Sequence, residues 1–143
     1  MQKSPNHRLS DRVLWALGRA SQQSQRLVRR HMVEAGVRTQ HYHVLASLDA
    51  DGAAAQATLA DRIALDRSDL VTVLDELEEV GYVVRQVDPD DRRRKIVDLT
   101  AAGRKQLVVM DRLIYAAEDE LLAPLTAAER KVLLGLLSRV GGE

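Results

Sequence analysis

Three arginines and a lysine in succession, Arg92-Arg93-Arg94-Lys95, follow the turn run Asp88-Pro89-Asp90-Asp91 and lead into Ile96-Val97-Asp98-Leu99. Guanidinium groups at a hairpin tip can enter the minor groove of duplex DNA, whose narrow A·T-rich stretches concentrate negative potential. Taken alone, a charge run at a turn is a solvated surface. Asp91 stands two residues before Arg93, close enough to pair with it and stiffen the tip, so at least one arginine is expected to be structural. Upstream, Arg67, Ser68, Val71 and Thr72 share the outward side of an amphipathic segment. The hydroxyls of Ser68 and Thr72 can donate to phosphates or base edges, and the methyl groups of Val71 and Thr72 can meet thymine. The four histidines, His7, His31, His41 and His43, could in principle hold zinc. His41 and His43, however, point to different sides of a helix, and no pair has the three- or four-residue spacing that brings two ligands together. No metal and no cofactor are therefore expected.

The elements that must position these residues are mostly helical. Ser10 is expected to cap a long helix with apolar positions Val13, Leu14, Leu17, Leu27, Val28, Met32 and Val33, ending at Gly36. Thr39 opens a second helix through Leu45 and Leu48, closed by Asp49-Ala50-Asp51-Gly52. Thr58 with Asp61 resembles a capping box for Leu59 to Ala64, and after a linker of about two residues Asp66 with Asp69 opens the next helix at Arg67. In that helix Leu70, Val73, Leu74 and Leu77 share a face, Ser68, Val71, Thr72, Asp75 and Glu76 project outward, and Gly81 is the expected left-handed stop. Two short helices around a tight turn, the second amphipathic, form the helix-turn-helix pattern. The stretch from Tyr82 to Val87 reads as a strand and pairs with Ile96 to Leu99 as a hairpin. Thr100 caps a further long helix to about Leu122, Pro124 breaks it, and the capping box Thr126 to Glu129 starts a last helix to Gly141.

Composition bounds the function classes. The 143 residues are 45% hydrophobic and 29% charged, enough for one domain with a sizeable core. The absence of cysteine excludes a disulfide framework, a thiolate nucleophile, a cysteine zinc site and a thiol redox switch. No apolar run approaches the roughly 20 residues of a membrane span, and Met1 to Arg12 has no signal-like apolar core. A cytoplasmic, nucleoid-associated location with no membrane partner is the expectation. With 3% aromatic residues and no Phe, stacking platforms for single strands are not expected. The net charge is zero, yet residues 1–50 carry 8 basic and 3 acidic groups while 51–80 carry 2 and 8. Asp61, Asp66 and Asp69 are expected at helix starts within that acidic block, where carboxylates favour the dipole. Binding to an anion would lean on the hairpin tip and on Arg38, Arg62 and Arg67.

Helix-turn-helix followed by a hairpin is a winged helix, and long helices at both chain ends complete a mainly α fold with a small β-hairpin wing. The residues Leu65-Asp66-Arg67-Ser68, Leu74 through Val83, Asp88-Pro89-Asp90-Asp91-Arg92-Arg93 and Val97-Asp98-Leu99-Thr100-Ala101-Ala102-Gly103 resemble the MarR family of bacterial transcriptional regulators. The resemblance implies one chain, 1–143, with a DNA-binding lobe over 37–99 and a helical dimerisation region over 8–36 and 100–141. It implies a homodimer on a pseudopalindromic double-stranded operator, with half-sites about one helical turn, roughly 10 bp, apart. Arg38, Arg67, Ser68, Val71, Thr72, Arg92, Arg93 and Arg94 are the implied DNA contacts. The chain departs from many relatives in placing Thr72 and Glu76 where those carry arginine. The family also implies a small aromatic or anionic effector, for which position selects Trp15, Arg38, His41 and Tyr42, although a structural core is the favoured role of Trp15 and Tyr42.

The expected function is a sequence-specific DNA-binding repressor released by an effector. A winged-helix protein-interaction module that has lost DNA binding is the alternative suggested by the acidic reading helix. A hydrolase has no support, because no Gly-rich phosphate loop, nucleophile elbow or metal-ligand spacing is present.

Overall fold

The computed structural model describes residues 7–142, with the side chain of His7 outside that description. The expectation for the polar stretch before His7 therefore lies outside the described residues. In chain order the elements are α1 (His7–Ser10), α2 (Val13–Val33), α3 (Thr39–Asp51), β1 (Ala54–Ala55), α4 (Gln56–Arg62), α5 (Arg67–Glu79), β2 (Val83–Val87), β3 (Lys95–Leu99), α6 (Ala101–Leu121) and α7 (Ala127–Val140). The chain divides into two compact units, Met32–Leu113 and Met1–His31 with Ile114–Glu143. No helix among the described residues is long and apolar enough to cross a membrane.

Unit 32–113 is built around α5. Leu70, Val73, Leu74 and Leu77 are all buried, as their spacing predicts, and they meet Val44, Leu45 and Leu48 of α3 and Leu59 of α4. Val83, Val97 and Leu99 from the sheet and Leu107 and Met110 from α6 close the same cluster. Burying a side chain of this size contributes about 1.5–3 kcal/mol, and Leu74→Ala would cost about 2–5 kcal/mol because the close-packed site cannot collapse.

Several helix boundaries differ from the sequence expectation. Ser10 ends α1 rather than capping the long helix, and α2 starts at Val13. Thr39 is the first residue of α3; the cap position belongs to Arg38, in extended conformation. Thr58 lies inside α4, which starts at Gln56, so no capping box forms there, and Asp61 falls near the end of that helix rather than its start. Residues 63–66 join α4 to α5, so the turn is twice as long as expected. A side chain able to cap does not by itself fix where a helix begins, and helix ends shift by one or two residues.

The helix stops were legible. Gly36 and Gly81 adopt positive φ (68° and 81°). After α2 the Gly36 N–H donates to Val33 and the Val37 N–H to Met32; after α5 the Gly81 N–H donates to Glu78 and the Tyr82 N–H to Leu77. Both are left-handed stops that satisfy the terminal carbonyls. The same pattern ends α4, where the Ala64 N–H donates to Asp61 and the Leu65 N–H to Ala60, but here a non-glycine residue takes the positive φ of 51°.

The hairpin belongs to a three-stranded antiparallel sheet of order β1-β3-β2. Ala54 pairs with Val97 and Ala55 with Ile96, adding an edge strand that the sequence does not announce. Two alanines carry no β preference, so only the pairing with β3 makes them a strand. In the β2·β3 pair, Val83 lies opposite Leu99, Arg85 opposite Val97 and Val87 opposite Lys95. Thr100 caps α6 as expected: its hydroxyl accepts from the Gly103 N–H (3.0 Å) and donates to the Gly81 carbonyl (2.6 Å).

The second unit carries little core of its own. Leu27 and Ala117 are buried, whereas α7 has no buried residue. Val13 and Leu14 of α2, Tyr115 of α6 and Val132, Leu134, Leu136 and Val140 of α7 are exposed. Glu120 receives Arg30 and His31, the latter at 3.0 Å, and Asp119 receives Arg130 at 2.7 Å. The Thr126 to Glu129 capping box forms in both directions, at 2.9 and 3.2 Å.

Candidate nucleic-acid interface

Within unit 32–113, α5 and the β2·β3 hairpin place the predicted residues on an exposed surface. Asp66 takes the cap position of α5, and its carboxylate accepts from the Ser68 hydroxyl at 2.5 Å. That hydroxyl holds the Asp66 carboxyl below the ordinary carboxylate range. Arg67, Ser68 and Thr72 are exposed, and Val71 remains 40% exposed although it is a large apolar side chain. The Thr72 hydroxyl donates back to the Ser68 carbonyl at 3.4 Å, one turn earlier.

Glu76 keeps a side chain that is 41% exposed, yet it is not unpaired. Its Oε2 takes both the Arg38 guanidinium and His41 Nε2, the latter at 2.6 Å, and the residue is half-buried against the start of α3. The Arg38 N–H donates to His41 Nδ1 at 3.0 Å. A backbone N–H can only donate, so Nδ1 is the acceptor and the ring proton that faces Glu76 sits on Nε2. The His41 hydrogen bond, followed by that of Arg38, holds the Glu76 carboxyl below the usual glutamate range. Arg38 is thus exposed but already paired.

A residue that the sequence reading passed over organises the rest. Arg85 occupies the core-facing register of β2, two residues beyond buried Val83, and its side chain is only 14% exposed. The guanidinium donates to Asp75 Oδ1 at 2.5 Å and to Glu78 at 3.2 Å through both Nε and Nη2, while the Arg85 N–H donates to Glu78 at 3.1 Å. These bonds tie the wing to the outward edge of α5. They also hold the Glu78 carboxyl below its ordinary range, chiefly through the side-chain hydrogen bond from Arg85. The available signal was the alternation itself: a charge on the inward register of a strand requires a partner.

At the tip, the Asp88 N–H donates to the Arg94 carbonyl (2.9 Å), the Arg94 N–H to the Asp91 carbonyl (2.9 Å) and the Asp90 N–H to the Asp88 carboxylate (2.9 Å). Asp91 accepts the Arg93 N–H at 3.0 Å and Arg93 Nε at 3.4 Å, the pairing its spacing predicts. Arg93 nevertheless stays 92% exposed. Arg92 and Arg94 are exposed and have no ion-pair partner among the described residues. The turn chemistry of Asp-Pro-Asp-Asp therefore fixes the backbone and leaves three guanidinium groups in solvent.

The effector candidates are placed as follows. Arg38 and His41 meet at Glu76. Tyr42 packs on the core, and its hydroxyl donates to Asp111 of α6 at 2.8 Å. Trp15 belongs to the other compact unit and is 40% exposed. Burial pushes the His43 imidazole below its ordinary range. Among the described residues no group of three or more histidines and carboxylates is gathered as a metal site.

The MarR family model matches residues 38–95. The transcriptional repressor CouR, solved bound to a 23-mer DNA duplex, is similar over 98% of this chain and 99% of its own, at 29% identity and a TM-score of 0.88. The PcaV transcriptional regulator of Streptomyces coelicolor, solved with its natural ligand, is 30% identical over 99% of this chain and 97% of its own, with a TM-score of 0.78. A Thauera aromatica protein named for transcriptional regulation of the hcr operon is 38% identical over 85 residues, 59% of this chain. That match spans 51%, about half, of the Thauera protein's length.

Proposed function

We propose, from the premise that this chain belongs to the MarR family, that it is a cytoplasmic transcriptional regulator binding double-stranded DNA as a homodimer. The observation that carries this is the exposed trio Arg92, Arg93 and Arg94 on a hairpin locked by Arg85 to a helix whose outward N-terminal half is polar and methyl-bearing. Arg67, Ser68, Val71 and Thr72 enter a major groove, and the wing arginines approach the flanking minor groove. Residues 37–99 are the DNA-binding lobe. Residues 8–36 and 100–141 supply the dimer, supported by the unpartnered apolar side chains of α2 and α7. A homodimer presents two readers on a two-fold axis and so favours a pseudopalindromic operator.

The regulator acts as a repressor released by a small aromatic or anionic effector. The similarity to PcaV, solved with a ligand, supports that step. Arg38, His41 and Tyr42 are the residues of unit 32–113 that we assign to the effector. A ligand favouring a lobe arrangement unsuited to DNA shifts the population away from binding.

Retention of the DNA upstream of its own gene, measured at several salt concentrations, tests the proposal. Specific retention with a steep salt dependence, weakened by Arg93→Ala or Arg94→Ala, is expected. No retention at low salt would overturn it. Sedimentation as a 15.9 kDa monomer at micromolar concentration would overturn the dimer.

A further inference from the structure

The charge along α5 is polarised. Its N-terminal half presents Arg67, Ser68, Val71 and Thr72, and its C-terminal half carries Asp75, Glu76, Glu78 and Glu79. Phosphates repel the second group, so the first is the half compatible with a groove lined by backbone charge.

The polar groups that could read bases from this helix are largely committed. Arg85 draws Asp75 Oδ1 and both Glu78 oxygens toward the wing, and Arg38 and His41 draw Glu76 Oε2 toward α3, so these carboxylates already serve cations of the protein itself. Asp69 lies about a quarter turn away from the line of Ser68, Thr72 and Asp75 at about 3.6 residues per turn. The Ser68 hydroxyl donates to Asp66 at 2.5 Å, and the Thr72 hydroxyl leans back toward the Ser68 carbonyl at 3.4 Å. Beside the charged side chains of Arg67 and Asp69, what this surface offers is apolar: exposed Val71 and the γ-methyl of Thr72.

We infer that the reading helix selects thymine in the major groove by covering its 5-methyl group with Val71 and Thr72. The inference rests on the DNA-binding reading above and names the chemistry by which a base is chosen.

Duplexes enriched by the full chain from a random-sequence pool provide the probe, resynthesised with deoxyuridine for thymidine at each half-site position in turn. Deoxyuridine keeps the base pair and removes only the methyl group. Affinity is expected to fall about fourfold for each thymine methyl that the helix covers, the loss expected for one buried methyl-sized group. Val71→Ala and Thr72→Ser, checked for folding by circular dichroism, are expected to bind the thymidine and deoxyuridine duplexes alike at the affected position. Equal affinity of the unaltered chain for both duplexes overturns the inference while leaving DNA binding intact. A preference for guanine at the positions facing Val71 and Thr72, relaxed by Arg67→Ala, overturns it as well. Enrichment of no sequence at low salt removes DNA binding itself, and this inference with it.

Discussion

Glu76, on the reading helix, accepts a hydrogen bond from His41 at 2.6 Å, and His41 in turn accepts the Arg38 N–H at the start of α3. One carboxylate oxygen thereby anchors two helices and neutralises Arg38, a residue we assign to both DNA and effector. An arginine in such a pair must exchange Glu76 for phosphate before it can contact DNA.

Replacing Glu76 by Gln removes that competitor. DNA affinity of Glu76→Gln is expected to rise severalfold, with log-affinity against log-salt steepening by about 0.9 for the one arginine released. Filter binding at four or five salt concentrations reads both quantities. An unchanged slope would show that Arg38 does not reach phosphate.

Glu78 titrates below the ordinary glutamate range because Arg85 stabilises its charged form. A carboxyl depressed in the folded state contributes stability that is complete above the unfolded pKa and is lost as pH falls through the folded one. The urea midpoint is therefore expected to drop as pH falls below the usual glutamate range. Glu78→Gln should lower the midpoint at neutral pH and flatten this acid decline. A steeper decline in the variant would contradict the assignment.

A Cβ at Gly103 would stand 2.2 Å from the Tyr82 carbonyl oxygen and 2.7 Å from Leu99 Cδ1. The carbonyl cannot swing aside, because it accepts the Thr100 N–H at 3.1 Å. Gly103→Ala is expected to cost about 1–3 kcal/mol, read as a lower urea midpoint at constant slope. This contact is the physical reason for the glycine three residues after Thr100.

Ala64 ends α4 with a φ of 51°, a conformation in which a Cβ crowds the following carbonyl. Ala64→Gly should stabilise the protein by about 0.5–1 kcal/mol, the relief of strain exceeding the entropy cost of glycine. Thermal denaturation showing a lower Tm in the variant would refute this.

Much of unit 32–113 was legible because its signals are local. The spacing of Leu70, Val73, Leu74 and Leu77 marks the buried face of α5, and Gly36 and Gly81 mark left-handed stops; in the other unit, Thr126 with Glu129 marks a cap. Thr58 and Ser10 failed as caps because a side chain able to cap does not by itself end the helix before it. The same limit applies at the interface: exposure of Ser68, Val71, Thr72 and the wing arginines follows from periodicity and turn chemistry, and the Asp91 to Arg93 pair follows from spacing.

The order of residues by itself determined the helix-turn-helix, the paired strands of the wing and the basic tip, since each depends on neighbours within a few positions. Only the tertiary structure decided which charges are spent. Glu76 lies 35 residues from His41 and Asp75 lies 10 from Arg85, and the chain must fold before these groups can meet. The alanine pair of β1 likewise becomes a strand only because β3 offers it unpaired backbone groups. Periodicity can say that a carboxylate faces outward, but whether it remains available to a ligand depends on which cation the fold brings beside it.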